Sequence, residues 1–187
     1  MMVKTILSGF GGQGVLMMGY SFAHGAMSAG YHVTYLPSYG AEVRGGTANC
    51  TVAVADEEIA SPVASEPEYI VALNNPSVQT FQNKIAAGGS MFLNSSIIEV
   101  YPSRKDITIY EIPAGEISEK LGNPRAANVV MMGALLKQIG LVPPEIYLKS
   151  LETILGKKKK AIMESNEKAF HMGYDFLTLS KKKKKRS

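Results

Sequence analysis

Two short stretches bring together residue types that could do chemistry. The first is Gly9-Phe10-Gly11-Gly12-Gln13-Gly14, in which Gly9, Gly11 and Gly14 take the G-x-G-x-x-G spacing. It follows the apolar run 3–7 and opens a stretch of helical periodicity, so it reads as a strand-to-helix turn. Glycines there let the backbone bend sharply and approach a ligand closely, and the first amides of the helix turn the positive end of its dipole toward a bound anion. The bland use of the same spacing is a turn that needs glycine only for close packing. The second stretch is the loop 38–46, with Ser38, Tyr39, Glu42, Arg44, Gly45 and Gly46. The forked guanidinium of Arg44 suits a carboxylate or a phosphate, unless it pairs with Glu42 on a solvated loop.

Other candidates are weaker. A dinucleotide site needs Asp or Glu at the end of the second strand, about 20 residues past the glycines. Here the chain reads Tyr35-Leu36-Pro37-Ser38-Tyr39-Gly40, and the first carboxylate, Glu42, follows a proline and a glycine. No Gly-Lys-Ser/Thr is present, so a P-loop is excluded. Cys50 lies in an alternating strand with no local base and reads as core, and His24 has no histidine partner and reads as solvent-facing or capping. The sequence therefore offers no catalytic residue and no metal site.

The elements that must position the two stretches follow from periodicity. A first strand at 3–7 leads to a helix over 13–29, with Val15, Leu16, Met18, Gly19, Phe22, Ala23, Ala26 and Met27 on its buried face. A strand at 31–36 then closes a right-handed, parallel β-α-β unit. Strands at 47–55, 69–73, 90–94 and 107–112 follow, and 97–101 extends or crosses the sheet. Asn74-Asn75-Pro76 starts a helix through 86, Asn123-Pro124 caps one that stops at Gly140, and further helices cover 144–155 and 157–174. The fold class is α/β: a doubly wound, mostly parallel Rossmann-like sheet with helices on both faces and a helical C-terminal part. Residues 1–174 form a single domain, and 175–187 form a lysine-rich, disordered tail.

The composition agrees, with 187 residues, 45% hydrophobic and 19% charged. Taking the six basic residues at 181–186 from the net charge of +4 leaves −2 for the rest, so the basic character belongs to a tail and no nucleic acid is expected. One cysteine cannot make an internal disulfide or hold an iron–sulfur cluster. A reducing, cytoplasmic location is expected, with no membrane span.

Gly9-Phe10-Gly11-Gly12-Gln13-Gly14-Val15, Leu36-Pro37-Ser38-Tyr39-Gly40-Ala41-Glu42-Val43-Arg44-Gly45-Gly46-Thr47-Ala48-Asn49-Cys50, Ser61-Pro62 and Asn74-Asn75-Pro76, in that order, resemble the gamma subunit of 2-oxoacid:ferredoxin oxidoreductases. The resemblance spans residues 2–174 and is greatest to the 2-oxoglutarate type, although position 41, often Pro in those relatives, is Ala here. It implies an enzyme complex that converts 2-oxoglutarate to succinyl-CoA with release of CO2. Alpha, beta and delta subunits are the implied partners, and ferredoxin or flavodoxin is the acceptor. Thiamine diphosphate with Mg and the iron–sulfur clusters are implied for the partner subunits, coenzyme A is a substrate, and this chain alone binds no cofactor and is inactive. Within that complex the turn residues Gly9, Gly11, Gly12, Gln13 and Gly14 and the loop residues Ser38, Tyr39, Glu42, Arg44, Gly45 and Gly46 line the approach of coenzyme A or of an adjoining subunit, with Arg44 making an ionic contact. A homodimer of this chain is left open. The alternatives are a stand-alone Rossmann-like module binding a nucleotide or coenzyme A, and an assembly scaffold without a ligand.

Overall fold

The β-branched and apolar residues that open the chain favour extended backbone, and Met2–Phe10 forms strand β1. The computed structural model describes residues 1–39, 47–156 and 160–184. After β1 come α1 (Val15–Ser28), β2 (His32–Tyr39), β3 (Thr47–Ala55), β4 (Tyr69–Ala72), α2 (Asn75–Phe81), β5 (Ser90–Asn94) and β6 (Thr108–Ile112). Helix α3 (Ala114–Lys120), a 3-10 turn (Pro124–Ala126), α4 (Ala127–Ile139), α5 (Pro144–Leu155) and α6 (Lys160–Lys184) complete the order.

The strands make one six-stranded sheet in the order β2-β3-β1-β4-β5-β6. β1, β4, β5 and β6 pair in parallel, whereas β3 lies antiparallel between β1 and β2. This corrects the expected β-α-β unit: β2 runs in the direction of β1 but is not its neighbour. The reason is the connection 40–46, which is shorter than the dozen or so residues a parallel crossover needs, so β3 must return antiparallel as a hairpin.

Helices cover both faces, as expected. On one, Leu7, Cys50, Val71 and Phe92 of the sheet pack with Phe22 of α1, Leu135 of α4, Tyr147 of α5 and Phe170 of α6. On the other, Ile6, Ile70 and Met91 pack with Val78 and Phe81 of α2. α4 and α6 approach until backbones touch: a Cβ on Gly133 would lie 2.1 Å from the Phe170 carbonyl oxygen, and one on Gly173 would lie 1.9 Å from that of Val130.

Several boundaries differ from the sequence reading. α1 begins at Val15, because Gly14 is left-handed at φ 77 and cannot lie inside the helix. Met27 is 62% exposed, since it shares a side of α1 with Met17 and Tyr20 rather than with Phe22. Residues 97–101 form no strand; Asn75 Oδ1 accepts the Glu99 and Val100 N–H groups and holds them as a loop. Asn74 is the cap of α2, with Oδ1 accepting from Ser77 N–H at 2.9 Å, but Asn123 makes no capping bond and instead donates to Ser165 Oγ. α3 was not anticipated, its seven residues being too short for periodicity to show. α6 continues past Tyr174, and Leu177 is fully buried, so the folded part reaches beyond the expected start of a disordered tail.

Candidate functional site

Gln13 makes the glycine turn rigid. Its backbone N–H donates to the Phe10 carbonyl at 3.2 Å while its side-chain Oε1 accepts the Phe10 N–H at 2.6 Å. Its Nε2 donates to the Leu73 carbonyl at 3.1 Å, tying the turn to the end of β4. A Cβ on Gly9 would stand 2.6 Å from that Oε1 and 2.9 Å from Leu73 Cβ, so the brace requires glycine there. Gly12 and Gly14 take φ values of +94° and +77°, which glycine adopts without strain. At Gly14 a Cβ would also meet Asn128 Nδ2 at 2.2 Å, whereas the space over Gly11 and Gly12 is open.

The turn lies at the carboxyl edge of the sheet, where β1 is followed by a helix on one face and β4 by a helix on the other. Ligands of open α/β sheets bind in the crevice at such a switch point. A cleft of about 270 Å³ occupies it, with Gly12 and Gln13 on one wall, Asn94 and Gly115 on the second, and Arg125 and Asn128 on the third. The N-terminal ends of α1 and α4 border it, so the positive ends of two helix dipoles meet there. Among the described residues that line it there is one cation, Arg125, and no carboxylate.

Asn94 ends β5 and is only 4% exposed. Its Oδ1 accepts from the Gly115 and Ser96 N–H groups at 3.3 and 3.4 Å, which leaves its Nδ2 as the group it can offer a ligand. Asn128 Oδ1 accepts the Val129 N–H, and its Nδ2 reaches the Gly14 carbonyl at 3.5 Å, a long contact. Arg125 is exposed and makes neither an ion pair nor a hydrogen bond among the described residues. The cleft thus presents a free guanidinium, amide donors and helix N-termini, a set that suits a phosphate or another anion.

Of the expected site residues, Gly12 and Gln13 line this cleft, Gly9, Gly11 and Gly14 belong to the turn beside it, and Ser38 and Tyr39 end β2. Tyr39 and Gly9 lie opposite Ala48 from its two sides, and Thr47 lies opposite Phe10. Both ends of the connection 40–46 are therefore at the same edge as the turn, with Tyr39 two strand spacings, roughly 10 Å, from Gly9. Glu42, Arg44, Gly45 and Gly46 lie outside the described residues. The sequence reading missed Asn94, Arg125 and Asn128. The signal is there in part: Asn94 ends an apolar strand, and Arg125 follows an Asn-Pro pair whose spacing announces only a helix start.

Cys50 and His24 do not serve the site. The Cys50 Sγ is buried and donates to the Val15 carbonyl at 3.6 Å, and burial pushes its pKa up to about 12, which suppresses the thiolate. His24 is half-buried within α1, where it caps nothing, and its Nδ1 has no partner among the described residues. Among the described residues no three His, Cys, Asp or Glu side chains gather as metal ligands, and no helix is long and apolar enough to cross a membrane.

The family model for pyruvate ferredoxin/flavodoxin oxidoreductase matches residues 4–176. Similar proteins include the ketoisovalerate oxidoreductase subunit VorA of Methanothermobacter thermautotrophicus, 37% identical over 93% of this chain but only 36% of its own length. The 2-oxoglutarate synthase subunit KorC of Methanocaldococcus jannaschii is 33% identical over 90% of both chains. The fold is that of the gamma subunit of keto/oxoacid ferredoxin oxidoreductase from Geobacter sulfurreducens, with a TM-score of 0.81, 24% identity and coverage of 95% of this chain and 99% of the other. The 2-oxoglutarate:ferredoxin oxidoreductase of Magnetococcus marinus superposes with a TM-score of 0.88 at 22% identity, over 95% of this chain and 31% of the other. The chain thus spans about a third of the length of some relatives and nearly all of others.

Proposed function

The chain belongs to the pyruvate ferredoxin/flavodoxin oxidoreductase family, and from that membership we propose that it is the gamma subunit of a 2-oxoacid:ferredoxin or flavodoxin oxidoreductase that works on 2-oxoglutarate, yielding succinyl-CoA and CO2. Alpha, beta and delta subunits are its partners, and the complex is cytoplasmic. The observation that carries the reading is the cleft at the switch point. Its free Arg125, the Asn94 amide and the two helix N-termini suit the phosphates of coenzyme A. The glycine turn gives backbone access on one side, and the connection containing Arg44 leaves from the same edge.

The residues of this chain do not fit the electron-carrying groups of such a complex. A cluster needs several thiolates, and the one cysteine is buried with its pKa raised to about 12. The clusters are therefore assigned to the partner subunits, thiamine diphosphate with Mg is assigned there on the family resemblance, and the contribution of this chain is binding and orientation of an anionic substrate.

A stand-alone dinucleotide module is the poorer reading for a reason beyond the missing acid. β3 separates β2 from β1, so a carboxylate at the end of β2 would stand two strands from the turn and not beside it. A branched-chain 2-oxoacid substrate is the second reading, favoured by the 37% identity to a ketoisovalerate oxidoreductase subunit. The test is CoA-dependent reduction of a viologen dye by the purified complex with 2-oxoglutarate and with 3-methyl-2-oxobutanoate. The expected result is a higher kcat/KM for 2-oxoglutarate; a preference for the branched substrate overturns that choice, and turnover by this chain alone overturns the subunit assignment.

A further inference from the structure

Helix α1 carries no Asp, Glu, Lys or Arg along its length. One side packs on β1, β2 and β3, and another packs on α5, where Ser21 Oγ meets Tyr147 Oη at 3.1 Å. The side left over presents Met17, Tyr20, His24 and Met27, at spacings of three, four and three, and Met17, Tyr20 and Met27 are 40%, 48% and 62% exposed. A helix facing water on one side normally charges that side. The spacing is that of a seam which receives a second helix by knobs-into-holes packing.

A groove of about 400 Å³ continues this face between α1, the start of α4, α5 and α6, where Leu155 and the 46% exposed Ile162 join Met17 and where Arg125 and Asn128, which also line the cleft, form part of the wall. Resting on the reading of this chain as a subunit, we propose that the α1 face and its groove seat an amphipathic helix of a catalytic partner subunit. The area argues against a second copy of this chain as the occupant. Side chains of this size bury roughly 200 Å² each when fully covered, so Met17, Tyr20, Met27 and Ile162 at their exposures offer about 400 Å², and two copies face to face would cover about half of the ~1,600 Å² of a stable interface. A larger partner that also fills the groove has no such limit. In the VorA relative and the Magnetococcus chain, moreover, the matched part makes up about a third of the polypeptide, so in those two proteins further protein is joined to this domain.

The test uses the assembled complex and the free chain side by side. Under dilute peroxide the Met27 sulfur oxidises in the free chain, and on assembly the rate falls by about tenfold or more; an equal rate in both overturns the proposal. Met27→Asp and, as a milder probe, Met27→Gln lower the amount of this chain retained with the partners on gel filtration, whereas Leu36→Asp, on the opposite side of the sheet, does not. Retention of folded Met27 variants at the wild-type level also overturns it. So does a concentration-dependent dimer of the free chain that Met27→Asp disperses, which would make a second copy the occupant. Failure of the wild-type chain to associate with any oxidoreductase subunit instead removes the subunit reading itself.

Discussion

Gln13 shows how far a motif can be read. In the sequence it is a polar residue inside a glycine turn and a natural candidate to touch a ligand, yet its carboxamide spans from Phe10 to Leu73 and spends both ends on the protein. The partner at Leu73 is far away in sequence, so no local pattern could announce it. Gly14 is the residue where conformation and packing coincide. Gly14→Ala is expected to cost about 1–3 kcal/mol, from the left-handed backbone and the overlap with Asn128 together, seen as a lower urea midpoint with an unchanged slope. Arg125 is expected to behave oppositely. In the complex Arg125→Ala should raise the KM for coenzyme A about tenfold, the scale of one charge-assisted contact, while unfolding stability stays within about 0.5 kcal/mol. The buried thiol gives a pH prediction. Below pH 9 Cys50 is neutral in both folded and unfolded chains; above it the unfolded chain ionises first, because the folded pKa is raised from 9.0 to about 12. Stability should therefore fall as pH rises from about 9 toward 12, with Tyr147, raised from 10.0 to about 12, adding to the loss at the upper end. Measured against pH, the slope of unfolding free energy should be shallower in Cys50→Ala than in the wild type.

At the scale of elements, the strands were legible because each is an apolar run bounded by turn residues, and the helices α1, α4 and α5 because their apolar positions recur with helical spacing. What was not legible was the place of β3. Alternation along residues 47–55 says strand and says nothing of which neighbour it takes; the shortness of the preceding connection does, and it predicts the hairpin once it is weighed against the crossover rule. The cleft was only half legible for a related reason. Asn94, Arg125 and Asn128 come from the end of a strand, a 3-10 turn and the start of a helix, and only the tertiary fold sets them around Gly12 and Gln13. The contact of α4 with α6 is equally a tertiary matter, since neither Gly133 nor Gly173 sits where a turn would demand glycine. Because the obstructing atoms there are backbone, Gly173→Ala should cost at least about 2 kcal/mol, read as a lower denaturation midpoint, with α6 the first segment to lose amide protection.

For the molecule as a whole, the proposed function divides the labour between this braced platform and chemistry held by partner subunits. The platform offers a positive cleft at one edge of the sheet and an uncharged helix face beside it, and it keeps its one thiol out of solvent. The first should decide how coenzyme A is held and the second how the subunit is seated, so variants in the two should separate: cleft variants should change kinetics in an intact complex, and α1 variants should change the yield of complex with little effect on the KM of what assembles.

The order of the chain also constrains how this protein is made. α1 and the central strands leave the ribosome well before Phe170 and Leu177, which close the core over α4 and α5. Until they emerge, the main apolar face of the sheet has no complete cover, and the nascent chain must wait with that surface open to chaperones and to neighbouring chains. Nascent chains arrested before Leu177 has cleared the ribosome should accordingly be cut readily by protease, and ones arrested after its release should resist.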